Sequence, residues 1–222
     1  MKRILLLLTL LFACTGMLRA QDTYTTFMVK GGHNTLFGYY TALSADVGYE
    51  AKRYFAIHGG AEYRTIEHVA VELNPQYFHD FNFGRLNGEL LLGYTYQSNM
   101  HNYIVGCGAS LDVKRVWVTL GYYHRTITLG RDSICEPFNI YYELGVRCLR
   151  ACERWDLNLI LTNSRMFELE RHYQPSYILD ACWHPTDKLG VLLGGCFKPA
   201  GVFNISSNYF QAYANIGVCC KW

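Results

Sequence analysis

His124-Arg125-Thr126 sets an imidazole and a hydroxyl two residues apart, the spacing that puts both on one face of a β-strand. A base placed so can activate a hydroxyl nucleophile, but here the hydroxyl is a threonine and no His-x-Ser occurs anywhere in the 222 residues. His33-Asn34-Thr35 and His184-Pro185-Thr186 repeat the spacing in links between strands. Glu168, Glu170, Arg171 and His172 could pair an acid with a histidine to activate water, although a charge cluster between strands usually just faces solvent. No Cys-x-x-Cys or Cys/His spacing of a zinc site occurs, nor a phosphate-cradling glycine loop or dinucleotide fingerprint. The sequence therefore assigns no catalytic residue, no metal and no cofactor.

The other side chains with chemistry to offer are charged residues spaced two apart inside apolar segments. A strand sends alternate residues to opposite faces, so each segment has a greasy side and a polar side. With the apolar phase turned outward, Ser44, Asp46 and Glu50 point inward, followed by His58, Glu62 and Arg64, then Glu72, Asn74 and Gln76, then Glu89, Thr95 and Gln97. Farther along, Arg125, Asn139, Tyr141, Glu143, Arg147, Asp156, Asn158, Thr162, Asp180, Lys198, Gln211 and Asn215 take the same side. A hairpin folded with equal arms about residues 51–53 sets Asp46 opposite His58 and brings Arg64 within reach of Glu62 or Glu72. Ion pairs of this kind either stabilise a wall or line a path and tune which solutes pass.

The elements that must carry these residues are strands. From Phe210 to Trp222 every even position is apolar, and that alternation is long enough for a tilted strand to cross a bilayer, which takes about ten residues. Working back from Trp222, segments near 23–31, 38–50, 54–65, 68–79, 85–97, 102–112, 115–126, 137–148, 154–163, 174–183, 189–198 and 208–222 alternate in the same way. Short links near 51–53, 81–84, 113–114, 149–153 and 184–188 alternate with the longer links 33–37, 126–136, 163–173 and 198–207 and with tight ones near Glu67 and Asn99. The count is twelve. The weakest segment is the fourth, which holds Pro75, and losing it would leave ten or eleven.

The aromatic residues fall into two groups along this pattern. Trp117, Trp155, Trp183 and Trp222 lie near the short links, whereas Tyr94, Tyr122, Tyr142 and Tyr209, with most other tyrosines, gather at the opposite ends. Amphipathic rings prefer the headgroup level, so two belts are expected of a barrel in a bilayer. At the start, Lys2 and Arg3 precede the apolar run Ile4 to Ala13, and Leu18-Arg19-Ala20 offers a small residue before Gln21. Residues 1–20 read as a cleaved export signal and 21–222 as one domain. Eight of the nine cysteines follow it; most sit inside strands, and Cys148 and Cys152 point to opposite faces, so no bridge is assigned. The net charge of +2, without a basic stripe, excludes a nucleic-acid partner.

The aromatic-terminated closing strand and the two belts resemble the small bacterial outer-membrane β-barrel superfamily. The resemblance implies an all-β, closed antiparallel transmembrane barrel of twelve strands with both termini periplasmic. It also implies outer-membrane lipid and lipopolysaccharide as surroundings and the barrel assembly machinery as a partner in biogenesis. The hydrolases of that superfamily, the phospholipase, lipid A deacylase and omptin-type barrels, are not matched in their active-site residues. The expected function is a non-enzymatic narrow channel or porin-like passage for small solutes. The alternatives are a closed barrel whose loops 126–136 and 163–173 bind an extracellular or periplasmic protein and, more remotely, a lipid hydrolase using His124.

Overall fold

In a computed structural model the described residues are 22–35, 38–51, 54–66, 68–149, 154–163, 175–200 and 210–222. They form twelve antiparallel strands: β1 (Asp22–Asn34), β2 (Gly38–Ala51), β3 (Phe55–Arg64), β4 (His68–Phe81), β5 (Gly84–Gln97), β6 (Met100–Val113), β7 (Val116–Leu129), β8 (Asp132–Leu149), β9 (Trp155–Thr162), β10 (Ser176–Thr186), β11 (Leu189–Lys198) and β12 (Gln211–Lys221). Each pairs with its sequence neighbours, and β1 pairs with β12 from Tyr24↔Lys221 to Asn34↔Gln211, so the sheet closes. Closure leaves no edge of unpaired N–H and C=O groups, the condition for placing strands in lipid. Both termini lie at one rim, here the terminal rim; the other is the loop rim.

Period-two alternation sorts the wall. Leu43, Leu90, Val105, Leu120, Ile140, Leu159, Leu179, Leu193 and Ile216, on nine of the twelve strands, are each between 46% and 59% exposed, and Val29, Phe55 and Leu73 on the other three are 40% to 45% exposed. A continuous apolar belt of that extent is far beyond what a water-facing surface carries and matches the outward band of a membrane barrel. The opposite phase supplies the buried polar residues, among them Lys30, Glu62, Arg64, Asn102 and Lys198.

Pro75 sits inside β4 and interrupts its ladder with β5 without shifting the register, since Leu73↔Leu92 and Gln76↔Glu89 belong to the same alignment. Proline has no N–H to donate. The Leu90 carbonyl, opposite it, accepts instead from the Asn74 side-chain amide at 3.0 Å. Two expectations need correction. The link at 126–136 is a hairpin: β-branched Thr126, Ile127, Thr128 and Ile134 extend the strands, and Gly130 at φ 61° lets them turn back. Asp46 faces Gly60, and His58 faces Gly48, because the β2–β3 hairpin is centred one residue later than equal arms about 51–53 require. The link 163–173 beyond Asn163, and residues 1–20, lie outside the described residues.

Leu120→Arg, on the outward belt, is expected to cost about 2–4 kcal/mol of folding stability, while Thr119→Arg, one residue along and inward, costs far less. Urea titration in phosphatidylcholine vesicles measures both, and equal losses would contradict this assignment of faces.

Candidate functional site

Along the barrel axis the inward charges fall into a cluster toward the loop rim, an acidic chamber below it, and ion pairs at the terminal rim, Arg85 with Asp80 and Arg147 with Asp112. Toward the loop rim, Glu62 on β3 bonds Lys30 of β1 and accepts from Arg64 Nε at 2.6 Å, and all three side chains are at most 6% exposed. Arg64 lies over the Tyr40 ring at 5.2 Å and Lys30 near the Tyr213 ring at 5.7 Å, so aromatic faces share the cationic load. Gln211 donates to the Tyr40 hydroxyl at 3.2 Å. Arg125 of β7 faces Asn102 at 3.4 Å and Glu136 at 3.7 Å. Tyr123, Ile104, His68, Lys198, Asn34 and Thr162 are each under 2% exposed, so this half of the lumen is packed side chain to side chain.

Toward the terminal rim the lumen opens into a cavity of about 550 Å³. Its lining includes Asp46, Glu72, Glu89, Glu143 and Asp180, together with Asn74, Asn158 and Asn215; among the described residues it holds no lysine or arginine, and its one basic group is His58, which meets the Tyr24 hydroxyl at 2.6 Å. Two of these acids, Glu89 and Glu143, accept from neutral donors. Tyr141 donates to Glu89 at 2.7 Å, and the Trp117 indole N–H to Glu143 at 2.6 Å. Such bonds position a carboxylate without cancelling its charge, which leaves the chamber a negative field in a low-dielectric wall.

Glycines make these positions reachable. A Cβ on Gly121 or Gly108 would stand 2.3 Å or 2.1 Å from the Tyr141 ring or hydroxyl, so that side chain lies flat across two bare stretches of wall. Gly145 plays the same part for Trp117, where a Cβ would come within 1.9 Å of Cζ2. Trp117 therefore corrects the expected aromatic belt: it shares the inward phase of Thr119 and Tyr123 and serves the lumen. Tyr40, Tyr123 and Tyr141 also turn inward. Trp155 and Trp183 stack outward at 6.3 Å, Trp222 is 66% exposed, Tyr94 and Tyr122 face out, and Tyr142 shares the outward phase of Ile140 and Leu144. Tyr209 lies outside the described residues.

Of the other expected lining residues, Arg147 and Asp156 belong to the terminal rim. Arg147 bonds Asp112 at 2.6 Å, and Asp156 meets His184 at 2.9 Å, around a second cavity of about 610 Å³ that shares Asn158 with the chamber. Arg64 meets Glu62, one of the two acids expected for it. Lys30 was not anticipated, although its phase with Thr26 and Met28 marks it as inward. His124 faces out, 3.0 Å from Cys135 and 3.3 Å from Thr126. Among the described residues no group of three His, Cys, Asp or Glu converges to hold a metal.

Twelve strands, full closure and an apolar exterior over a charged interior decide the architecture, and the solved structures agree. A KdgM porin in complex with disordered oligogalacturonate aligns at TM-score 0.56 with 12% identity, over 89% of this chain and 99% of that one. The chain has the fold of the bacterial outer-membrane β-barrels. A NanC porin aligns at 0.58 with 16% identity over 88% and 100% of the two chains. The translocator domain of the autotransporter NalP from Neisseria meningitidis aligns at 0.58 with 12% identity over 100% and 96%. No family model and no curated protein matches the sequence. Equal similarity to a porin and to a translocator shows that this barrel fold does not choose its function.

Glu62→Gln leaves Lys30 and Arg64 buried around a neutral amide and is expected to cost about 3–5 kcal/mol, whereas Asp80→Asn, whose Arg85 pair is half in solvent, costs at most about 1 kcal/mol. Urea unfolding of both variants checks the difference; comparable small losses would mean the Glu62 cluster is not dry.

Proposed function

We propose that this protein is a non-enzymatic outer-membrane barrel providing a narrow, porin-like passage for small cationic and neutral polar solutes, with the acidic chamber on its periplasmic side. The observation that carries the reading is the chamber itself: five carboxylates and, among the described residues, no lysine or arginine around about 550 Å³. A cavity of that size suits a small molecule. Twelve strands stand between the eight that side chains just fill and the sixteen that leave an aqueous channel. The passage is closed at the loop-rim end by packed side chains of the wall, Lys30, Arg64 and Lys198 among them, so conduction requires those chains to change rotamer.

The likeness to porins supports a passage, but not its cargo. Oligogalacturonate, named with the KdgM porin, is a polyanion. Five carboxylates repel such a chain, so that substrate is not carried over to this protein. A second reading draws on the packed loop-rim half: a closed barrel whose chamber takes up a small cation from the terminal side without passing it on.

In a planar bilayer with a potassium chloride gradient, the mature protein is expected to show a reversal potential favouring cations, and Glu89→Gln with Glu143→Gln is expected to shift it toward zero. Anion preference, or a potential unmoved by the double substitution, would remove the chamber from the path. Silence from correctly folded protein would favour the closed barrel.

A further inference from the structure

One buried ionisable group of the loop-rim half takes no part in holding that half together. His68, the first residue of β4, shares the inward phase of Ala70 and Glu72 and is 0% exposed. Among the described residues neither of its ring nitrogens has a hydrogen-bond partner. Its cross-strand neighbours are Arg64 of β3 and Gln97 of β5, and the charges that reach it are those of Arg64, Glu62 and Lys30. At this level β5 contributes only neutral groups: Gln97, whose Oε1 is itself buried without a partner, and Thr95, which accepts from Asn102 at 2.9 Å. Glu72 lies lower on β4, and Arg125 with its partner Glu136 stands beyond Asn102.

A neutral imidazole is tolerated in that position, and an imidazolium is not. It would stand beside two buried cations, Lys30 and Arg64, which already share the Glu62 carboxylate, and would be a further charge taken out of water without an anion of its own. The packed arrangement therefore excludes the proton. Once these side chains part and water reaches the ring, His68 takes up a proton at the ordinary imidazole value of about 6.5. We propose that His68 is an acid-operated release for the packed loop-rim half of the lumen: falling pH opens the passage by favouring the arrangement in which this histidine is hydrated and charged. The open form binds one proton more than the closed form, so the preference grows as the pH falls below about 6.5 and is absent above it. Between pH 7.5 and pH 5 the ratio of open to closed forms is expected to rise roughly thirtyfold. This inference rests on the reading of the lumen as a passage and names what regulates it.

Single-channel recording of residues 21–222 in a planar bilayer at pH 7.5 and at pH 5 tests it. The readout is the ratio of open to closed time, because conductance and selectivity also respond to titration of the chamber carboxylates. In the parent protein that ratio is expected to rise at least about tenfold at the lower pH. His68→Gln, which is polar and does not titrate, and His68→Phe, which keeps a ring in the space, are each expected to hold the change below about twofold. His184→Gln, at the terminal rim, is expected to leave the response intact. A parent channel equally open at both pH values, or a His68→Gln or His68→Phe channel that responds as the parent does, would overturn the release and leave the passage standing. Silence of the folded protein at both pH values would overturn the release and the passage together.

Discussion

Everything in this molecule depends on the pairing of β1 with β12. In a hydrocarbon solvent each unpaired backbone N–H or C=O costs several kilocalories per mole, so an open sheet of these strands would have no stable place there. The closing ladder runs the length of both strands, and the chain adds bonds at its ends, with the Thr35 amide on the Phe210 carbonyl at 3.0 Å and the Trp222 amide on the Thr23 carbonyl at 2.8 Å. The last residue is thus tied into the wall while its side chain stands in the outer belt.

Closure also dictates what can be inside. Because side chains alternate, every outward leucine or valine commits its neighbours to the lumen, and the charged residues have nowhere else to go at tolerable cost. What the wall then controls is their level along the axis. Lysine and arginine collect at the two ends, near the loop rim where Glu62 and aromatic faces neutralise them and at the terminal rim where Asp80 and Asp112 pair Arg85 and Arg147; between them lie carboxylates, of which neutral Tyr141 and Trp117 hold Glu89 and Glu143 in place. The same glycines that let those aromatic rings lie flat keep the lower chamber from filling. Larger residues at 108, 121 and 145 would push the Tyr141 and Trp117 side chains off the wall into the chamber.

Strand number, closure and facing were legible because a period of two survives in nearly every segment, and the Phe210–Trp222 alternation states it without interruption. Pro75 did not break the count, since the missing bond is made by the neighbouring Asn74. What alternation cannot give is height. The turn of the β2–β3 hairpin moved Asp46 away from His58, and a shift of that size redistributes every cross-strand pair. Trp117 was read by its distance from a turn and not by its phase, which Tyr123 shares. The level of the acidic chamber between the two sets of ion pairs, and the meeting of Asp180 with Asn215 over Gly194, depend on register between strands and have no signature in any one of them.

Similarity to porins and to an autotransporter's translocator domain leaves function to the lumen, and there the decisive property is the sign of charge in the lower chamber. Anomalous diffraction from crystals of residues 21–222 soaked in thallium(I) measures that sign directly, with bromide soaks as the counterpart. The account predicts thallium peaks among Glu89, Glu143 and Asp180 and no bromide there. Bromide in the chamber, with thallium absent, would contradict it.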